Sequence, residues 1–129
     1  MITNAGKDFV AAQIAGAGGT ATAQYLALTA NTTTPAPADT TLTGEIATAS
    51  GGLVRALATY AHTAGTSVLT LTKTFTANGS DSLPVTVAKI GLFTASSAGT
   101  MVYETALSPT ATLSASGDTL TITHTITLS

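Results

Sequence analysis

Thr119-Leu120-Thr121-Ile122-Thr123-His124-Thr125-Ile126-Thr127-Leu128 sets the terms on which the rest of this chain is read. Leu120, Ile122, Ile126 and Leu128 fall on one face of an extended chain, and Thr119, Thr121, Thr123, Thr125 and Thr127 fall on the other. Side chains in a strand point alternately to opposite faces, so this period of two specifies a half-buried antiparallel strand. His124 occupies the apolar register beside Ile122 and Ile126.

Working back toward the N-terminus, Leu53–Ala61, Val68–Thr76, Val85–Phe93 and Thr100–Leu107 also have strand composition. Turn-formers separate them: Gly65, Asn78-Gly79, Ser96 to Gly99, Pro109 and Gly117-Asp118. Ala23–Thr29 supplies a further strand ahead of them. Several short strands with turns every 8–12 residues predict a mainly β fold, an antiparallel β-sandwich or open barrel.

Two segments stand outside this pattern. Thr3 or Asn4 can cap a short N-terminal helix carrying Phe9, Val10 and Ile14 on an apolar side, stopped by Gly16, Gly18 and Gly19. Residues 30–52 contain Pro35 and Pro37 and read as a long irregular arm. A stretch of that length without regular structure is expected to be functional or ordered by a partner. Leu42, Glu45 and Ile46 are its candidate partner contacts. The chain is thus expected to be a single domain, 1–129: helix and stop in 1–22, arm in 30–52, and a β core of 53–129 with the strand at 23–29.

Composition narrows the function. Only 8% of the 129 residues are charged, the net charge is −2, and there is no cysteine. An ordinary soluble domain carries about 25% charged residues. The missing polarity is replaced by threonine, at 29 residues, and a further 24 residues are Ala. No basic patch is available for nucleic acid, and neither disulfides nor thiolate metal sites can form. Mean hydropathy is +0.41, yet runs such as Val87–Phe93 are interrupted by Lys89 and Gly91, far short of the roughly 20 residues of a spanning helix. The first residues lack the pattern of a signal peptide, so synthesis in a cytoplasm, without membrane contact, is expected. A threonine surface carries little charge repulsion and few long side chains to immobilise, which favours protein–protein packing.

The residues that could carry chemistry have structural readings instead. Gly16-Ala17-Gly18-Gly19-Thr20-Ala21 formally fits a loose dinucleotide fingerprint, but that motif needs a strand before it and a helix after it. His62 and His124 show no spacing that would recruit a carboxylate to a metal. Asp39 and Asp118 read as turn residues. No catalytic, cofactor or metal residues are assigned. Arg55 is the sole arginine, and its fork suits a carboxylate, so Glu45 and Arg55 are expected to pair and anchor the arm.

Several blocks, taken in order, carry a resemblance. They are Asn4-Ala5-Gly6-Lys7-Asp8-Phe9, Tyr25-Leu26-Ala27-Leu28-Thr29, Thr41-Leu42-Thr43-Gly44-Glu45 and Gly52-Leu53-Val54-Arg55. Ala88-Lys89-Ile90-Gly91-Leu92-Phe93, Gly99-Thr100-Met101-Val102-Tyr103 and Ser116-Gly117-Asp118-Thr119-Leu120 complete them. Their order over nearly the whole chain resembles small tailed-bacteriophage virion proteins, either head decoration (cement) proteins or tail-fibre proteins. The resemblance implies a β-sandwich-like virion component without an active site. The chain lacks heptads and long repeats for a fibre shaft, which favours decoration of the outer capsid surface. The partners so implied are the major capsid protein and copies of the chain itself, a trimer being favoured over a dimer. The alternative is a tail-fibre, tail-tip or collar component binding a host receptor or glycan through the turns at Asn78–Ser82 and Ser96–Thr100.

Overall fold

The computed structural model describes residues 1–15 and 22–129. The helix stop at Gly16, Gly18 and Gly19, and the glycine-rich stretch to Ala21, lie outside the described residues. Two antiparallel sheets stack face to face. The first has the order β2-β1-β5-β6, from Ala56–Leu57, Tyr25–Thr29, Val85–Phe93 and Met101–Leu113; the second has the order β3-β4-β7, from Thr59–His62, Val68–Thr76 and Thr119–Thr127. Among the described residues no strand pairing joins the sheets, so the architecture is a sandwich and not a closed barrel.

The core fills the space between them. Leu26 and Leu28 of β1, Ile90 and Leu92 of β5, Leu71 and Phe75 of β4, and Ile122 of β7 are each at most 5% exposed. Each such side chain contributes about 1.5–3 kcal/mol through burial. The alternation in β7 holds: its five threonines are exposed while Ile122 and His124 are buried. Leu128 departs from expectation at 59% exposure, because it lies past the last ladder pair, Val68 with Thr127.

Elsewhere the chain departs from the simple alternation of strand and turn. The expected strand Leu53–Ala61 is two strands in different sheets, with buried Ala58 at the crossing, where its N–H bonds Gln24 O at 2.8 Å. Leu53 and Ala58 have opposite parity and are both buried, which one flat strand cannot arrange. Strand β6 runs on through Pro109, where a turn was expected. Val87 pairs with Ala111 but Lys89 with Ala106, so residues 107–110 bulge opposite Ala88. Proline is tolerated there because β6 is an edge strand and the bulge needs no ladder bond.

Helix α1, Asn4–Ala15, is capped by Thr3: Gly6 N–H bonds Thr3 Oγ1 at 2.9 Å, and Lys7 N–H bonds Thr3 O at 3.0 Å. A Cβ at Gly6 would collide with the carbonyl of Val102, so glycine lets the helix lie directly on β6. Phe9 is half-buried, but Val10 and Ile14 are exposed, at 37% and 82%. The expected apolar side is therefore only partly covered.

The arm is a third layer. Leu42 is 4% exposed and packs with Ala27, Phe93 and Met101 on the outer face of the four-stranded sheet. This corrects its assignment as a partner contact: an apolar side chain with a socket of its own chain is already buried. Gly91 leaves the room, since a Cβ there would stand 3.3 Å from Leu42 Cδ2. Thr29 Oγ1 donates to Thr43 O at 2.7 Å, and Ile46 N–H donates to Leu28 O at 2.9 Å. Ile46 is half-buried against the main core, so it too leans on its own chain.

Candidate functional site

Charges are rare in this chain, and the fold gathers most of those in its interior into two clusters. In the first, Arg55 Nε donates to Glu45 Oε1 at 2.8 Å and Nη2 donates to Glu45 Oε2 at 2.7 Å, a two-point fork. Nη1 donates to Ala98 O at 2.7 Å and to Ala95 O at 3.1 Å. The guanidinium carbon stands 3.5 Å from the centre of the Phe93 ring. Arg55 thus joins the arm, the β5–β6 turn and β5. Removing it as Arg55→Ala should cost about 2–3 kcal/mol from the lost charged hydrogen bonds and ring contact. The melting temperature should fall by roughly 10 °C, and a thermal melt unchanged within a degree would overturn the assigned role.

The second cluster is one that sequence reasoning passed over. Lys89 Nζ lies 2.6 Å from Glu104 Oε1, with side-chain exposures of 3% and 2%. They sit on neighbouring strands β5 and β6, beneath the arm. Glu104 Oε2 has no donor. Asp39 of the arm accepts from Ala36 N–H at 2.8 Å. Its own carboxyl is held below the ordinary 3.8, chiefly by the Ala36 N–H, then by Glu104 and Lys89. The available signal was a lysine inside the otherwise apolar run Val87–Phe93, which a buried strand holds only with a carboxylate nearby.

Two further acids, Asp81 and Asp118, brace turns. Asp118 Oδ2 accepts from Ser114 N–H at 2.8 Å and Ala115 N–H at 2.9 Å, and these bonds hold its carboxyl below the ordinary range. Asp81 Oδ2 accepts from Gly52 and Asn78 N–H at 2.9 and 2.8 Å, tying the end of the arm to the β4–β5 turn.

The histidines do not meet. His62 lies exposed on β3 with Nδ1 2.8 Å from Val68 O, while His124 lies on β7, across the intervening β4. His124 is 9% exposed, edge-on to Tyr103 at 5.1 Å, and its Nε2 has no partner. Burial, and secondarily the nearby N-terminal charge, lower its pKa from 6.5. A depressed histidine pKa means that the unfolded chain binds more protons. Stability is therefore complete above about 6.5 and declines as pH falls below it toward the folded value. Urea midpoints measured from pH 7.5 to 5 should show this decline, and His124→Leu should flatten it.

A cleft of about 670 Å³ opens between α1, β6 and the three-stranded sheet. Phe9, Val10, Tyr60, Leu69, Ile126 and Leu128 contribute to its walls. Tyr60 and Leu128 are more than half exposed, at 53% and 59%. Among the described residues its lining includes no Asp, Glu, His, Lys or Arg. Such a cleft can bury an apolar side chain of another molecule but offers no acid–base pair for chemistry at neutral pH. Among the described residues no group of His, Cys, Asp and Glu is arranged to hold a metal ion. No family model, curated protein or solved structure matches the chain.

Proposed function

We propose that this chain is a non-enzymatic structural protein of a tailed-bacteriophage virion, a decoration protein that binds the outer capsid surface and stabilises the head. The observation that carries the reading is the exposed apolar cleft, whose described lining includes no Asp, Glu, His, Lys or Arg, in a domain with 8% charged residues. Contiguous exposed apolar surface on a soluble domain marks an interaction site. The ordered blocks resembling small virion proteins give that interaction its setting. Contact with the major capsid protein is assigned to the cleft around Val10, Tyr60 and Leu128, since Leu42 is occupied within its own fold.

Quantitative mass spectrometry of purified virions tests this. A copy number comparable with the major capsid protein is the expected result. A handful of copies per particle would replace the head assignment by a tail or collar component with a receptor-binding role. Absence from the particle would overturn the virion reading altogether.

A further inference from the structure

Every sheet has edges, and a bare edge invites pairing with another chain, so proteins normally blunt them. Among the described residues the two sheets present four edges, and three of them are blunted. Strand β2 has two residues and β3 has four. The free side of β6 is occupied by the N-terminus: Ile2 bridges Tyr103, Thr3 N–H donates to Val102 O at 3.0 Å, and Glu104 N–H donates to Met1 O at 3.0 Å. Farther along, the bulge with Pro109 spoils the same edge.

Strand β7 is different. It runs for nine residues, TLTITHTIT, at the edge of its sheet, with no proline, glycine, Asp, Glu, Lys or Arg. Which of its backbone groups face outward follows from the ladder with β4. Ala77 N–H donates to Asp118 O, and Leu128 N–H donates to Ser67 O. Both fit the register that pairs Leu71 with His124. Bonded pairs recur at every second residue. Leu120, Ile122, His124 and Ile126 therefore spend their N–H and C=O groups on β4. Those of Thr119, Thr121, Thr123, Thr125 and Thr127 point to the empty side.

The strand is also nearly its own mirror image about Thr123. Reversed onto itself, it sets Thr119 against Thr127 and Thr121 against Thr125, with Leu120 against Ile126 on the inner face. These threonines are the residues whose backbone groups are outward and unspent. The register demanded by the hydrogen bonds is thus the one that matches side chains, with no like charges opposed. The molecule already uses such pairs, as between Thr74 and Thr121 at 2.9 Å and Thr86 and Thr112 at 3.0 Å.

We propose that β7 is a self-association edge, on which a second copy of this chain adds its own β7 antiparallel, with the two-fold axis at Thr123. The two three-stranded sheets become one six-stranded sheet. An isologous edge closes on two copies, so the pair is a dimer in place of the trimer expected from sequence. This inference is independent of the virion reading.

Sedimentation equilibrium from 1 to 100 μM should show a species of twice the 12.7 kDa chain mass. The double variant Thr121→Lys/Thr125→Lys opposes lysines across the axis at two places and should weaken the dimer about tenfold or more. Thr121→Lys/Thr125→Glu opposes lysine to glutamate in the same register and should associate within about threefold of the original chain. Both positions are exposed on the solvent face, and unchanged circular dichroism should accompany both variants. Amide hydrogen exchange at Thr121, Thr123 and Thr125 of the unaltered chain should slow as concentration rises. A monomer throughout that range, a three-chain mass, equal effects of the two double variants, or concentration-independent exchange would each overturn the proposal.

Discussion

A Leu42→Asp chain should lose its native fold, or keep it only with a stability reduced by more than about 4 kcal/mol. Leu42 lies between Ala27, Phe93 and Met101 at 4% exposure, in a socket kept open by Gly91. Truncating such a leucine to alanine costs about 2–5 kcal/mol through lost burial and the cavity left behind. Aspartate adds a carboxylate with no cation assigned to that socket, and an unpaired buried charge is costly in its own right. The total approaches the whole stability of a small domain, about 5–15 kcal/mol. Urea unfolding followed by circular dichroism measures it. Ile46→Asp should cost less, since Ile46 is only half-buried. A Leu42→Asp chain that melts like the original while failing to bind its partner would restore the arm as a docking segment.

Lys89→Ala should be the next most damaging single change, at about 3–5 kcal/mol. Glu104 is 2% exposed, and its second oxygen already lacks a donor. Without Lys89, the buried Glu104 carboxylate would be left with no cation to compensate it. Replacing the pair together, as Lys89→Met/Glu104→Leu, should instead be neutral or stabilising by about 1–4 kcal/mol, because neither charge then has to be desolvated. A double-mutant cycle from denaturant midpoints separates these cases. A Lys89→Ala protein within about 0.5 kcal/mol of the original would show that solvent reaches Glu104 despite its burial.

How far sequence carries the reading depends on what each segment answers to. Strands β4, β5 and β7 lie close to their expected limits because burial on one or both faces writes itself into composition and alternation. The Glu45–Arg55 contact was legible for a different reason: with so few charges, a lone arginine has few possible partners. What stayed hidden was decided across the fold. The switch of sheets at Ala58 and the passage of β6 through Pro109 depend on what neighbouring strands require, not on local preference. The arm reads as partner-bound because Thr, Pro and Ala say nothing about where Leu42 will find its socket. The Lys89–Glu104 contact joins residues whose closeness is a matter of register.

The stitching of Met1–Thr3 along β6 also says something about time. The bond from the Met1 ammonium to Glu104 O closes a separation of 103 residues, and among the described residues β4 makes its longest pairing with β7, far along the sequence. Met1–Thr3 gain their ladder only once β6 is in place. Closing such distant contacts must be accomplished before they stabilise anything, which places sandwiches of this kind among slow folders, in milliseconds to seconds. During that interval β4 is bare on the side that β7 will cover, and a shortened chain ending before Thr119 would leave it so permanently.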